Sequence, residues 1–294
     1  MDKGGQPGVN FTGTLEPEMK RVARSLLVAL LALAPAFAAQ AASLPVQVSV
    51  GSNSATVRIG SATDPLADLS LRFDEASGIT AANLGIKAET ISINNPALLA
   101  RLPSSLTSIP GALPLLVTIE PPVAGSLEMH RITHVELHTH ALPYVSGSPL
   151  RLFKAQIGGP FRDITESVQP GSVRTRGTTP GWSQFLVIAD LRSTDAVIAE
   201  KFSYLQNQLN LVNAAERAPL QSYLNSAQTA VAGGNYNGAV VALDSFSARV
   251  SSRAGTYIPD TWRSARDVTN SAGELLAGAN TLAFSIGYRR DFGH

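Results

Sequence analysis

The character of the sequence changes near Ser193, and this change constrains the fold more than any other feature. Before it, the chain is rich in Pro, Gly, Thr, Val and Ile, and short stretches alternate apolar and polar residues. After it, Ala, Leu, Gln, Asn and Arg prevail, with apolar residues every three or four positions. Because alternation is typical of strands and the longer period of helices, the sequence predicts a segregated α+β fold.

The region from residue 43 to residue 193 is predicted to be an antiparallel, immunoglobulin-like β-sandwich. Val57 and Ile59 alternate with polar residues, and so do Leu69, Leu71 and Phe73. A hairpin with strands over 150–155 and 160–165 is predicted around Gly158 and Gly159, because glycine supplies the positive φ that tight turns need. Many short strands separated by turn signals favour a sandwich of two antiparallel sheets.

The region from residue 194 to residue 294 is predicted to be a small bundle of three to four helices. Thr194 or Asp195 is expected to cap the first helix, which ends near Asn210. The next two helices are predicted over about 214–232 and 236–254. Pro259 is expected at the first position of a fourth helix. Three glycines are expected to weaken or break that helix: Gly273, Gly278 and Gly287.

Residues 19–42 have the pattern of a secretory signal peptide. Lys20, Arg21 and Arg24 precede an uncharged apolar stretch, and small residues follow Pro35. The apolar stretch is shorter than the roughly 20 residues that span a bilayer, so no membrane span is expected after cleavage. Residues 1–18 are predicted to be an over-called extension before the true start at Met19. The predicted location is therefore periplasmic or extracellular.

Charge and cysteine content exclude several kinds of function. Positions 1–41 hold four basic and three acidic side chains, so the remainder carries 19 of each and has no net charge. A protein that neutralises phosphates needs a basic surface, so a nucleic-acid partner is not expected. The chain contains no cysteine, which excludes disulfides and thiol catalysis. We expect its partner to be a protein or a glycan of the cell envelope.

The stretch with the clearest chemical potential runs from His130 to His140 and holds four of the five histidines. In a strand, even-numbered positions share one face. This face would carry His130, Ile132, His134, Glu136, His138 and His140, while Val135 and Leu137 face the core. One interpretation is an ordinary polar face in contact with solvent. The other is a metal site, because neighbouring imidazoles on one face can ligate Zn or another divalent transition metal.

The metal interpretation has its strongest pair in His138 and His140, with His134 and Glu136 as a weaker pair. The row is too long for all four to bind one ion, so a third ligand must come from another strand. Glu128, Asp163 and Glu166 are the candidates.

The sequence shows no recognisable catalytic motif, and residues 181–185 lack the second glycine of a nucleophile elbow. The leading prediction is an exported, non-catalytic binding or scaffolding protein without a cofactor. The alternative is a metal-binding protein or a metal-dependent hydrolase that uses the histidine strand. Carbohydrate adhesion is a third possibility, and it predicts an exposed groove lined by Trp182 and tyrosines.

Two segments carry a resemblance to known modules. The pieces LRLFKA, GGPFRDIT and WSQFLVIADL, within residues 150–191, resemble the closing half of bacterial extracellular β-sandwich modules. The segment AAERAPLQSYLNSAQTAVAGGNYNGAVVALDSFSARVSSRAG is similar to small helical modules of bacterial secreted proteins. The whole chain resembles an uncharacterised secreted family of proteobacteria. This resemblance implies a fold and a location but no catalytic residues.

Overall fold

The structure is a computed structural model that describes residues 41–293 and, before them, residues 1, 2, 4, 5 and 8. The predicted signal peptide and most of the predicted extension lie outside the described residues. None of the helices that the structure describes combines the length and apolar character needed to cross a membrane.

The first of two sheets is antiparallel and has seven strands. In spatial order its main path is β1 (Ala42–Leu44), β5 (Ile86–Thr90), β7 (Leu115–Ile119), β13 (Gln184–Asp190), β9 (Leu150–Ala155) and β10 (Arg162–Asp163). The short strand β6 (Thr107–Ser108) pairs with β13 off this path.

The second sheet is also antiparallel and has seven strands. Its path is β11 (Thr165–Gln169), β12 (Arg174–Thr179), β8 (Glu128–Thr139), β4 (Pro65–Ser77), β3 (Ser54–Gly60) and β2 (Val46–Val50). A short strand from the C-terminal region, β14 (Thr261–Arg263), pairs with β8.

The two sheets share one hydrophobic core. Leu69 and Leu137 enter it from the second sheet, and Val117 and Phe185 enter it from the first. The predicted alternation is confirmed on β4, where Leu69, Leu71 and Phe73 are buried. The strands of this region thus hold together by apolar burial from both sheets.

The C-terminal region is helical, as predicted. Two single-turn helices lie among the strands, α1 (Ala81–Leu84) and α2 (Pro96–Leu99). Four longer helices follow them: α3 (Thr194–Leu209), α4 (Ala214–Ala232), α5 (Tyr236–Arg253) and α6 (Ser271–Phe292). They surround a second core that includes Leu205, Leu220, Phe246 and Leu282. The fold is therefore α+β, with helices concentrated at the C-terminal end.

The start of the first long helix differs from the prediction by one residue. Ser193 is the N-cap, and its side chain accepts a hydrogen bond from the backbone N–H of Ala196 at 3.3 Å. Thr194, one of the two predicted caps, is instead the first helical residue, and Asp195 lies in the first turn. Its carboxylate there complements the positive end of the helix dipole.

The prediction for the fourth helix was wrong at its start. Pro259 does not begin a helix; it precedes β14, and α6 begins twelve residues later with Asn270 as its cap. The Pro259 carbonyl accepts a hydrogen bond from Ala272 N–H at 2.8 Å. Pairing of β14 with β8 thus removes residues 261–263 from the predicted helix.

The expected break at a glycine was also wrong, because α6 is continuous past Gly273, Gly278 and Gly287. Gly278 packs against the side chain of Leu205, where a Cβ atom would lie only 2.7 Å from a methyl group. Close packing of helices here outweighs the low helix propensity of glycine.

The described residues 41–293 belong to one compact unit. The change from strands to helices falls between Asp190 and Thr194, where the sequence predicted it. Whether this position separates two independently folding domains stays a prediction.

Candidate metal centre

Strand β8 places the histidines on the outer face of the second sheet. Val135 and Leu137 point into the core, as predicted, while His134, Glu136 and His138 are partly exposed on the opposite side. The alternation of outward-facing side chains is interrupted towards the N-terminal end of β8. There Arg131 adopts a positive φ of 57°, and the register of β8 with β4 shifts. His130 therefore lies beyond a bulge and contacts Asp260 and Glu128 instead.

Three side chains converge at the end of this strand. His138 is paired in register with Asp68 on β4. His140 follows β8, and its backbone N–H donates to the Leu66 carbonyl at 3.4 Å, which keeps it beside β4. One ligand atom from each of His138, His140 and Asp68 lies within 4.8 Å of the other two.

The distances fit ligands that could converge on one ion. His140 Nε2 lies 3.1 Å from Asp68 Oδ2, and His138 Nδ1 lies 4.0 Å from the same oxygen. The imidazole ring centroids are 4.5 Å apart. Ligands of tetrahedral zinc lie about 2.0–2.2 Å from the metal and hence roughly 3.3 Å from one another. The 3.1 Å between His140 and Asp68 matches this spacing, whereas the 4.0 Å between His138 and Asp68 exceeds it.

The surroundings of His138 favour its neutral imidazole, which is the form that binds metal. Burial, and after it the positive charge of Arg174, lowers the pKa of His138 below its ordinary value. A neutral imidazole has a free lone pair, which is the state that binds metal. Arg58 opposes a bound cation, since its Nε lies 3.8 Å from Asp68 Oδ1.

The weaker predicted pair does not join this cluster. His134 lies between Glu166 and Asp74, with nitrogen–oxygen distances of 3.3 and 3.9 Å. Glu136 accepts hydrogen bonds from Arg174, at 3.0 Å, and from Arg176. The Glu136 carboxylate is thus already paired with two guanidinium groups.

None of the three carboxylates named from the sequence as possible third ligands lies in this cluster. Glu128 contacts His130, Asp163 is buried against Lys201, and Glu166 contacts His134. The carboxylate beside His138 and His140 is Asp68. Its alternation with Leu69 placed it on an outer face, but the sequence did not show that β4 lies beside β8.

The comparison with curated proteins finds no match for this chain. The comparison with protein families confirms the coarser part of the resemblance, since the matching family has no known function. The match to that family, DUF6689, covers residues 27–290, which is most of the chain, and the protein therefore belongs to DUF6689.

Proposed function

We propose that this protein is an exported, non-catalytic binding protein of the bacterial cell envelope that binds a divalent transition-metal ion. His138, His140 and Asp68 are the proposed ligands. The observation that carries the proposal is the convergence of these three side chains from two paired strands. Two imidazoles and one carboxylate suit zinc, and related metals accept the same ligands.

Binding is favoured over metal-dependent hydrolysis by the state of Glu136. A hydrolase needs a general base beside the metal-bound water. Glu136 lies two positions before His138 on β8, and its carboxylate is paired with Arg174 and Arg176. Its negative charge is already matched, so it is poorly suited to take a proton from water.

The proposed scaffold is an immunoglobulin-like β-sandwich followed by a helical bundle. Two antiparallel sheets with a common core support this assignment. Such a sandwich presents strand faces and loops to a protein or glycan of the envelope. The metal would then stabilise the end of β8 against β4, or form part of the surface that the partner contacts.

The metal proposal is tested by titrating the purified protein with Zn²⁺ in a calorimeter. We expect one ion per chain, and no binding by the His138→Ala/His140→Ala double variant. Asp68→Asn should bind at least about tenfold more weakly, because loss of a ligand costs no less than loss of an outer-shell partner, which typically costs about 10- to 100-fold. The zinc-loaded protein should hydrolyse p-nitrophenyl acetate no faster than the double variant.

His134→Ala is the matched control, because His134 lies on the same strand and contacts Glu166 rather than the cluster. Its affinity for zinc should equal that of the unaltered protein. Zinc binding that survives the double variant, or that is lost equally in His134→Ala, would refute the assignment of ligands. The remaining candidate would then be a metal-free binding or scaffolding protein.

Export is tested separately through the N-terminus of the protein made in a Gram-negative host. The sequence of residues 19–42 predicts a periplasmic product that begins at Ala42 or Ser43. Replacing Lys20, Arg21 and Arg24 by glutamate should leave the uncleaved chain in the cytoplasm, because the positive n-region is lost. An uncleaved, cytoplasmic product of the unaltered sequence would contradict export.

A further inference from the structure

A cavity lies away from the histidine cluster, where the ends of β9 and β12 meet β14 and the start of α6. Its volume is about 510 Å³. Lys154, Trp182, Trp262, Asn270 and Glu274 are among the residues that line it. The carbohydrate alternative predicted tyrosines around Trp182, but the described lining of this cavity includes none.

Lys154 has an unusual set of hydrogen bonds for a buried lysine. Its side chain is on β9, and only 6 % of the residue is exposed. Its Nζ donates to Thr179 Oγ1 at 2.5 Å, and Thr179 donates its own proton to the Gly181 carbonyl at 2.6 Å. Thr179 can therefore only accept from the amine. Among the described residues, nothing donates to the nitrogen lone pair.

The other buried lysine, Lys201, differs from Lys154 because its amine has three hydrogen-bond acceptors. Lys201 Nζ donates to Asp163 at 2.7 Å, Ser285 at 2.9 Å and the Thr281 carbonyl at 3.0 Å. Lys154 has a single hydroxyl partner and forms no ion pair with any carboxylate that the structure describes. A buried charge without a partner is costly, so this site favours the neutral amine.

The charged groups around Lys154 leave burial as the dominant influence. Burial lowers the pKa of Lys154 to about 7; Glu274 on α6 acts to raise it, and Arg162 on β10 acts to lower it. The Glu274 carboxylate is itself held by Arg162, at 3.0 Å, and by the Tyr204 hydroxyl. Glu120 and Arg266 also line the cavity and carry opposite charges.

We propose that this cavity binds small aldehydes or ketones and that Lys154 Nζ condenses with their carbonyl carbon to form an imine. The nitrogen lone pair adds to the carbonyl carbon, and the C=O π electrons move to oxygen. One amine proton passes to that oxygen and gives a carbinolamine. The second amine proton leaves with the hydroxyl group as water, and a C=N bond remains. No oxidant or reductant is needed.

The walls of the cavity suit such a ligand. Trp182 and Trp262 supply large apolar surfaces that favour a flat or apolar body on the carbonyl compound. Trp182 Nε1 is buried without an acceptor among the described residues. Gly181 lies against the Trp262 ring, where a Cβ atom would be 2.9 Å from the indole. The two rings and Lys154 thus line one space.

The test uses the unaltered protein, benzaldehyde and sodium cyanoborohydride, which traps imines as secondary amines. Mass spectrometry of peptides then measures the rate of modification at Lys87, Lys154 and Lys201 from pH 6 to pH 10. At pH 7 we expect Lys154 to react at least about tenfold faster than the exposed Lys87, because an ordinary lysine with a pKa near 10.4 is almost entirely protonated. The Lys154 rate should level off by about pH 8, while that of Lys87 continues to rise.

Lys201 is the internal control for burial. Burial lowers its pKa as well, but its Nζ is hydrogen-bonded to Asp163, Ser285 and the Thr281 carbonyl and does not line this cavity. It should remain unmodified. In urea, all three lysines should react at similar rates, which would show that the fold causes the difference. The proposal is wrong if Lys87 reacts as fast as Lys154 in the folded protein, or if the Lys154 rate follows the pH profile of an exposed lysine.

Discussion

At the scale of single residues, the ion pair between Lys201 and Asp163 is the most consequential buried interaction. Asp163 Oδ1 also accepts hydrogen bonds from the backbone and the hydroxyl of Thr165, at 2.8 and 2.5 Å. Burial opposes ionisation of Asp163, but the charges of Lys201 and Arg151 outweigh it and hold the pKa of this carboxyl below its usual value. The pair joins the first long helix to a sheet edge.

Replacing Lys201 by methionine should destabilise the protein by about 3–5 kcal/mol, because it leaves the buried Asp163 carboxylate without its counter-charge. The free energy of unfolding from urea titrations would measure this loss. A carboxyl whose folded pKa is depressed stabilises at neutral pH, and this contribution is lost as the pH falls. The variant lacks that contribution, so its deficit should be smaller at pH 4 than at pH 7.

Two further variants make this prediction specific. Adding Asp163→Asn to Lys201→Met should recover part of the stability, because the buried charge is removed. Lys87→Met, at an exposed position, should change the stability by no more than about 0.5 kcal/mol. Equal losses from the Lys87 and Lys201 variants would refute the role given to the ion pair.

Single residues also show how far the sequence could predict the candidate sites. Spacing alone placed His138 and His140 on one face, because strand periodicity is local. Asp68 lies 70 positions earlier and reaches them only through the pairing of β4 with β8, which spacing does not encode. Lys154 was missed for a related reason. Its burial depends on β10, β13 and α6, none of which its own strand reveals.

At the scale of elements, locally encoded features were predicted best. The helices over 214–232 and 236–253 match the expected ranges closely, because caps and 3.6-residue spacing lie within each segment. The hairpin strand over 150–155 was correct for the same reason.

Elements that depend on partners far away in the sequence were predicted less well. The predicted strand over 160–165 is divided, since β10 pairs with β9 in the first sheet while β11 pairs with β12 in the second. Residues 261–263 form a strand only because β8 offers an edge to pair with. A single sequence carries the local periodicity of these segments but not the identity of their partners.

At the scale of the whole molecule, the core between the sheets and the core of the helices are joined by several kinds of contact. Ile132 projects from β8 into the core of the helices. The N-cap residue Asn270 donates to the Arg131 carbonyl at 2.6 Å, and Arg162 on β10 pairs with Glu274 on α6 at 3.0 Å. With β14 in the second sheet, these contacts link the helices to the strands throughout the interface.

These links predict that strands and helices unfold in one cooperative transition. Trp182 and Trp262, the only two tryptophans in the chain, report the strand side by fluorescence, and far-ultraviolet circular dichroism reports the helices. Both signals should give the same urea midpoint. Ile132→Ala should lower the stability by about 2–4 kcal/mol and shift both midpoints together, while the exposed Ile93→Ala leaves them unchanged. If the helical signal alone shifts, the helices unfold separately from the two sheets, which contradicts a single transition and favours the separate domains that the composition change near Ser193 suggested.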